Sequence, residues 1–390
     1  MQETPSQLLK TIKLYIPDLW SANAHSSSFQ NTRSGYLRNR ISMLAAVWGL
    51  LVFIWIPFDL FFLPESQSVP IVIARLLLGT SLLLLAKVNY RLTKLKHAQI
   101  CMGLLVTATN LFYLYAIWIL EFPSVYSGYF YGYTLLPIIH VAMLTILPVT
   151  LKESLGLLAI TAFVQLFTDF QATYFLTPEN IADYWLQTIL AMMVIWSQLS
   201  KLYMLMRLYR QATLDPLTGI YNRRMLLQLA NKCMLHSEYT KQPFSVMLFD
   251  IDKFKRINDT WGHSAGDQVL KEFTQFIQSQ SKGDELFGRF GGEEFILFLP
   301  KTHFTQAEQL ADKLLASIRQ LQLDIGVDDT KIRITTSIGI SSFTDGDTLS
   351  SLLERADNAL YECKDAGRDC RRYHPAGYKY SSRAECQLVG

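Results

Sequence analysis

Six long apolar runs in the first half of the chain constrain its fold more than any other feature. They lie at 42–63, 69–88, 98–120, 127–149, 154–176 and 184–206. A helix of about 20 apolar residues crosses the hydrocarbon core of a bilayer, and each run is long enough to do so. Because short connections join the runs, the pattern predicts an all-α domain of six transmembrane helices over 41–206, preceded by an N-terminal arm at 1–40.

Lysine and arginine are unevenly distributed between the connections, and this predicts the orientation of the domain. The arm holds five such residues and the second connection holds Arg91, Lys94 and Lys96, whereas the first, third and fifth connections hold none. Cytoplasmic loops carry an excess of Lys and Arg. We therefore expect a multi-pass protein whose N- and C-termini are both cytoplasmic.

Four ionisable residues lie within the apolar runs, where a charge is costly and often functional. Asp59 and Arg75 should lie at a similar depth near the outer face, which predicts a structural ion pair. His140 and Asp169 remain open between a structural role and a role in binding a ligand or a proton. The runs do not show paired broken helices, a feature of many transporters, so the pattern favours a sensor or an anchor over a pump.

The last apolar run continues as a predicted linker helix over 199–214, with neither Pro nor Gly before Pro216. Leu199, Leu202, Met206 and Tyr209 follow a spacing of three to four residues. This pattern fits pairing with a second copy of the chain and also fits a simple amphipathic helix.

The composition changes near Asp215 to that of a charged globular domain, assigned here to 215–374, and a short tail follows at 375–390. Helical and strand-like segments alternate in this part, which predicts an α/β domain with an antiparallel hairpin beside a central strand. The net charge of the whole chain is +3, which argues against a nucleic-acid-binding surface.

Two acidic clusters stand at the ends of strand-like runs in this second domain. Asp250 and Asp252 end an apolar run, and Glu293 and Glu294 follow the pair of glycines at 291–292. Carboxylates that two strands bring together are suited to hold Mg²⁺ against the phosphates of a nucleotide. Asp252 can serve as a third acidic ligand or as the N-cap of the following helix, and we favour the cap.

Five runs of the second domain, in order, resemble the GGDEF domain of diguanylate cyclases. They are Asp-Pro-Leu-Thr-Gly-Ile-Tyr-Asn-Arg-Arg (215–224), the run from Phe249 to Asp267, Gly-Arg-Phe-Gly-Gly-Glu-Glu-Phe (288–295), Ser-Ile-Gly-Ile (337–340) and the run from Ala356 to Arg368. The resemblance implies a nucleotidyl-cyclase or palm-like fold with a central, mainly antiparallel sheet. It also implies that two GTP molecules condense to cyclic di-GMP and two pyrophosphates.

The resemblance also implies a metal site and catalytic groups. Two Mg²⁺ or Mn²⁺ ions in each half-site would be held by Asp250, Glu293, Glu294 and the main-chain carbonyl of Ile251. Glu293 would be the proton acceptor, and Lys255 would stabilise the transition state.

For the substrate, the family pattern assigns guanine recognition to Asn258 and Asp267. Phosphate contacts fall to the main-chain N–H groups of Lys253 and Phe254 and to the side chains of Lys364 and Arg368. Gly291 and Gly292 would let the nucleotide approach closely. His263 matches a substrate-contacting position, although a structural role in its loop fits equally well.

Because each GGDEF domain holds one GTP, the family reaction requires a homodimer, here in the cytoplasmic membrane of a bacterium.

One motif departs from the family pattern. The product-inhibition motif Arg-x-x-Asp is replaced by Lys282 and Glu285, and lysine cannot form arginine's two-pronged contact. We therefore expect weak or absent product inhibition. A catalytically silent receptor for GTP or cyclic di-GMP is the alternative function.

Overall fold

The computed structural model describes residues 15–120, 131–171, 178–281, 283–325 and 331–375. The chain forms two compact units, Met1–Tyr209 and Arg210–Gly390, which we describe separately. The first unit is helical and the second contains both helices and strands.

The first unit is built from helices that are joined by short connections. They are α1 (Ser27–Ile54), α2 (Ile56–Phe62), α3 (Glu65–Arg91), α4 (Leu95–Ile119), α5 (Tyr131–Thr134), α6 (Leu136–Met143), α7 (Leu151–Gln171) and α8 (Pro178–Thr213), with 3₁₀ turns at Ala22–Ala24 and Leu144–Ile146. Helix α1 begins within the stretch that the sequence assigned to the N-terminal arm. Helix α8 is unbroken through the predicted linker.

Among the described residues, five helical segments are long and apolar enough to cross a membrane. They are Ser27–Phe62, Glu65–Arg91, Leu95–Ile119, Leu151–Gln171 and Ile181–Thr213. Residues 127–130 of the fourth predicted run lie outside the described residues. Its described part includes the apolar segment Gly132–Ile146, whose helix is interrupted at Leu135. Pro137 stands in the first turn of α6, and proline cannot continue a preceding helical hydrogen-bond ladder. The prediction of six spans is therefore not confirmed.

Polar contacts inside the first unit join helices that are distant in sequence. The predicted pair is confirmed, because the Arg75 guanidinium contacts the Asp59 carboxylate and both residues are buried. Tyr133 adds its hydroxyl, which lies 2.5 Å from Oδ1 of Asp59. Arg33, which is fully buried, forms a second ion pair with Glu153.

The second unit alternates helices and strands. Its helices are α9 (Arg223–Thr240), α10 (Phe254–Trp261), α11 (His263–Gln280), α12 (Phe304–Gln320) and α13 (Leu349–Asp365). Its strands are β1 (Phe244–Ile251), β2 (Leu286–Arg289), β3 (Glu294–Pro300), β4 (Leu323–Asp324), β5 (Lys331–Ile332), β6 (Thr336–Ser342) and β7 (Arg371–His374).

A five-stranded sheet organises the described part of this unit, in the order β2-β3-β1-β6-β7. The pairings of β1 with β3, of β1 with β6 and of β2 with β3 are antiparallel, and β7 joins β6 in parallel. The expectation of a mainly antiparallel sheet is therefore confirmed. Strand β1 is buried along its whole length because it has a neighbour on each side and helices on both faces.

Each face of the sheet carries its own apolar core. One core joins Phe249, Phe295 and Ile338 to helices α11 and α12, and the other joins Val246 and Ile296 to helices α9 and α13. Alternate residues of a strand point to opposite faces, so residue 250 of β1 faces the side of α9 and α13. This register positions the candidate site.

Candidate active site

The acidic end of β1 and the glycine turn between β2 and β3 meet at one end of the sheet. Asp250 is directly opposite Glu294 in the β1–β3 pairing, and opposed residues share a face of the sheet. The N–H of Ile251 donates to the carbonyl of Glu293 over 3.3 Å. The sequence predicted that these two segments would adjoin, and the strand register brings them together.

Two carboxylates at this end of the sheet are partly removed from water. Asp250 is 6 % exposed, and its Oδ2 accepts a hydrogen bond of 2.7 Å from Nζ of Lys364. Burial raises the pKa of Asp250, and the lysine lowers it only in part. Burial and the nearby charge of Asp250 also raise the pKa of Glu293. Two carboxylates therefore share a site in which burial disfavours their charged forms.

Part of the predicted metal site fits a divalent cation. Asp250 and Glu293 supply carboxylate oxygens. Burial is the main reason that their pKa values are raised, and a bound cation would favour their ionised forms. Among the described residues, no three His, Cys, Asp or Glu side chains are grouped closely enough to hold a metal alone. Mg²⁺ is usually held by one or two carboxylates together with substrate phosphates and water, so this donor set fits it.

The two glycines of the turn matter because they have no side chain, which leaves room for neighbouring groups. Neither has a positive φ. A Cβ on Gly291 would overlap the carboxylate of Glu294, whereas a Cβ on Gly292 would meet nothing within 4 Å. Gly291 therefore lets the side chain of Glu294 lie against the turn. Gly292 leaves its outer side open, as close approach of a ligand requires. The assignment of Glu294 and the carbonyl of Ile251 as metal ligands stays a prediction.

Arg289 is a residue of the site that the sequence reasoning missed. Its guanidinium donates to the carbonyl of Gly292 at 2.7 Å and to that of Gly291 at 3.2 Å. It also contacts the carboxylate of Asp215 at 3.2 Å. Burial raises the pKa of Asp215, but hydrogen bonds from Thr218 and Arg289 outweigh it and leave the pKa lowered. These contacts of Arg289 join the turn at 291–292 to the first motif of the domain. Arg289 and Asp215 both lie in runs that match the family pattern, and this was the sequence signal that could have identified them.

The preferred reading of Asp252 as a helix cap is wrong. Helix α10 has Lys253 as its N-cap, at φ 56°, and no side chain caps it. The buried carboxylate of Asp252 instead accepts hydrogen bonds from Thr335 at 2.7 Å, from Ser337 at 2.7 Å and from the N–H of Asp369 at 3.0 Å. Tertiary neighbours satisfy this carboxylate, so it is unavailable to the helix.

The predicted guanine-reading residues lie on adjacent helices. Asn258 belongs to α10 and Asp267 to α11. The side-chain oxygen of Asn258 lies over Gly266, where a Cβ would overlap it. Asn258 is half-buried, while Asp267 and His263 are exposed. An amide and a carboxylate are thus available along one helix pair, as recognition of a guanine edge needs.

The predicted phosphate-binding groups surround the same end of β1. The uncapped N-terminus of α10 begins at Phe254 after Lys253, and the side chain of Lys255 is exposed. Lys364 comes from the last turn of α13, and Arg368 lies in the left-handed turn that follows. The charge of Arg368 also lowers the pKa of Asp250, although burial has the larger and opposite effect.

Helix α13 can reach Asp250 because Gly339 lets it approach the sheet. A Cβ on Gly339 would lie 2.5 Å from the main-chain nitrogen of Leu360 and would also overlap the carbonyl of Ala356. The helix therefore rests on the main chain of β6. This close packing brings Lys364 within hydrogen-bond distance of Asp250.

The predicted remnant of a product-inhibition site is only partly described. Lys282 lies outside the described residues. Glu285 stands just before β2 and accepts a hydrogen bond from the hydroxyl of Ser281. The expectation of weak product inhibition stays a prediction.

Comparison with known families gives one match in this chain, and it falls on the second unit. Residues 212–370 match the family model described as "Diguanylate cyclase, GGDEF domain". All the predicted site residues lie within this range.

Curated relatives match over the same region. The response regulator PleD of Caulobacter vibrioides is 36% identical over 159 residues, which cover 40% of this chain and 35% of PleD. Diguanylate cyclase A of Treponema denticola is 43% identical over 130 residues, or 33% of this chain and 34% of the relative. The chain thus spans about a third of the length of the curated relatives that it matches.

Solved structures that resemble this chain include the GGDEF domain of DgcB from Caulobacter crescentus in complex with c-di-GMP. It is 30% identical and has a TM-score of 0.40, with 43% of this chain and 94% of that one covered. The active GGEEF domain of a diguanylate cyclase from Vibrio cholerae is 33% identical with a TM-score of 0.37, and the match covers 41% and 98%.

Proposed function

We propose, from the premise that this chain belongs to the GGDEF family through residues 212–370, that it is a membrane-bound diguanylate cyclase. It condenses two GTP molecules into cyclic di-GMP and releases two pyrophosphates. The observation that carries the proposal is the meeting of Asp250 and the Glu293 turn beneath Lys364.

The triphosphate is bound where positive groups converge on the end of β1. Lys364 and Arg368 neutralise phosphate charge from one side, and the open N-terminus of α10 offers main-chain N–H groups from another. Divalent ions held by Asp250 and Glu293 would neutralise the developing charge on the phosphates. A bound triphosphate would compete with Asp250 for the ammonium group of Lys364.

Glu293 is the group that accepts the proton of the attacking 3′-hydroxyl. Its pKa is raised by burial and by Asp250, which makes it a stronger base than an ordinary surface glutamate. Lys255 is exposed on α10 and can stabilise the charge that builds on the reacting phosphate.

Selectivity for guanine comes from Asp267 and Asn258. The carboxylate of Asp267 accepts from N1–H and the exocyclic amine of guanine, and the amide of Asn258 serves the remaining edge. Adenine would leave the carboxylate unpaired, which costs binding free energy.

The apolar helices of the first unit support attachment to the cytoplasmic membrane, with both termini in the cytoplasm. One GTP site per chain supports a homodimer as the active form, because the product has two equivalent phosphodiester bonds. A membrane part and a cyclase in one chain favour signalling, with turnover controlled through the membrane helices.

The proposal is tested with the purified full chain, GTP and Mg²⁺, and products are separated by chromatography. We expect cyclic di-GMP, and we expect Glu293→Gln to lower kcat by about 10²-fold or more because the base is lost. Glu354→Gln, at an exposed position of α13, is the matched control and should keep the wild-type rate. If the wild type binds GTP without turnover at any metal concentration, the chain is the silent receptor instead.

A further inference from the structure

Two helix interruptions in the first unit border one cavity. Trp55 separates α1 from α2, and Leu135 separates α5 from α6. Both residues line a cavity of about 330 Å³. Trp55 and Leu135 both keep helical backbone angles, and Pro57 and Pro137 follow them, so each interruption is a local proline kink. The volume falls in the lower part of the range of small-molecule pockets.

The walls of the cavity are mainly aromatic and aliphatic. Trp48, Trp55, Phe112 and Tyr133 contribute rings, and Leu136 and Ile139 contribute aliphatic groups. Flat aromatic walls favour a flat ligand, because stacked rings gain contact area at little conformational cost.

A few polar groups are placed among these walls. Arg75 lines the cavity and is held by Asp59 and by the Tyr133 hydroxyl, which lies 2.9 Å from Nη2. The bonds formed by Arg75 among the described residues use Nε and Nη2, which leaves Nη1 as a donor. His140 also lines the cavity, and its Nδ1 is buried without a hydrogen-bond partner.

The charge of the site selects the class of ligand. Arg75 is already neutralised by Asp59, so an anion would find no net positive charge, and a cation would face the guanidinium. An uncharged molecule with hydrogen-bonding groups can pair with Nη1 of Arg75 and with the imidazole of His140 without burying a new charge.

We propose that this cavity binds an uncharged, flat, lipid-soluble carbonyl compound, of the chemistry of a quinone headgroup. One carbonyl oxygen accepts from Nη1 of Arg75, and another polar atom is directed at the imidazole of His140. The ring lies between the aromatic walls, and any apolar tail extends into the bilayer. The proposal concerns binding to the first unit and does not depend on the cyclase activity.

The test uses the full chain in nanodiscs of phosphatidylethanolamine and phosphatidylglycerol. A photoreactive azido derivative of a short-chain ubiquinone is the probe, and labelled peptides are located by mass spectrometry. We expect labelling of peptides that contain Trp48–Trp55 and Gly132–His140, and we expect decylubiquinone to displace the label at saturating concentration. Labelling spread over all lipid-facing helices and insensitive to the competitor would overturn the proposal and leave lipid chains as the occupant.

Two variants with a matched control sharpen the result. Ile139→Trp fills the cavity and should abolish the displaceable label, whereas Ile100→Trp, at a position that is 60% exposed and does not line the cavity, should keep it. His140→Leu removes one hydrogen bond and should raise the half-saturating competitor concentration about three- to tenfold. Unchanged displacement in both Ile139→Trp and His140→Leu would contradict the site.

Discussion

Asp252 shows how one buried side chain can hold several parts of the candidate site. It accepts from Thr335 and Ser337 beside β6 and from the N–H of Asp369 in the turn after α13. That turn carries Arg368, and its residues have positive φ values that need a tertiary partner. Asp252 therefore positions the turn that carries Arg368.

Replacing Asp252 by Asn should loosen this turn. An amide presents one neutral acceptor oxygen where the carboxylate offers two charged ones, so at least one of the three donors loses its carboxylate acceptor, at a cost of about 1–3 kcal/mol. We expect the KM for GTP to rise about tenfold or more and the thermal midpoint to fall. Initial rates and thermal unfolding of the purified chain measure both effects. Asp365→Asn, at an exposed position of α13, should change neither.

Glu293 affects the stability of the folded protein in a pH-dependent way. Its folded-state pKa is raised by burial and by Asp250, so the folded protein favours the neutral acid. The contribution of Glu293 to the stability of the folded state is therefore greatest below the ordinary glutamate pKa, and it is lost as the pH rises through the raised pKa. Above that pH the folded protein bears the full free-energy cost of an ionised, partly buried Glu293, unless a bound cation offsets it.

Glu293→Gln should therefore raise the thermal midpoint of the metal-free protein at neutral pH. The gain should shrink as the pH falls and vanish below about 4, where the wild-type residue is protonated in both states. Thermal unfolding in EDTA across this pH range measures the effect. A gain that is equally large at all pH values would contradict a charge-based cause.

At the scale of elements, helix α13 connects the sheet to the charged groups of the site. It packs against β6 at Gly339, and its last turn delivers Lys364 to Asp250. Arg289 makes a second connection between elements, because its guanidinium joins the turn between β2 and β3 to Asp215. The site is therefore assembled by contacts between elements rather than by one contiguous segment.

Gly339→Ala should displace α13 from the sheet. The new methyl group would overlap main-chain atoms of the helix, which cannot rotate away as a side chain would. We expect a loss of about 1–3 kcal/mol in unfolding free energy and a reduced kcat, because Lys364 moves away from Asp250. Denaturant unfolding and initial rates measure this. Gly35→Ala in α1, where a Cβ meets nothing within 4 Å, is the matched control and should not destabilise the chain.

At the scale of the whole molecule, the chain has a membrane-type helical unit and a single GGDEF domain. In the proposed function, one domain supplies one base and one guanine-reading pair. If each half-site of a dimer forms one of the two phosphodiester bonds, then a dimer with a single intact Glu293 cannot close the cyclic product.

Mixed dimers should reveal this requirement. When wild-type and Glu293→Gln chains are co-expressed equally and pair at random, about a quarter of the dimers hold two intact sites. We expect cyclic di-GMP formation per total protein to fall to that fraction, with linear dinucleotide accumulating from the mixed dimers. Product analysis by mass spectrometry makes the measurement. A rate of one half would mean that each chain completes the reaction alone.

Much of the molecule was predictable from local patterns. The length of the apolar runs predicted long helices. The position of the two acidic motifs at strand ends predicted that Asp250 lies next to the turn that carries Glu293. The Asp59–Arg75 pair followed from their similar depth in adjacent runs. The fourth run failed as one helix because hydropathy measures apolar content and does not register the break before Pro137.

What the sequence determined by itself is the periodicity, the motif order and therefore the family, because these depend on residues near one another along the chain. The tertiary structure decided which partners the buried polar groups take. Asp252 accepts hydrogen bonds from distant residues and does not cap a helix. Arg289 donates to the carbonyls of the turn at 291–292, and Gly339 lets α13 pack closely on the sheet. Each outcome depends on atoms from segments far apart in sequence, and a buried hydrogen bond is chosen by what the completed fold brings within reach.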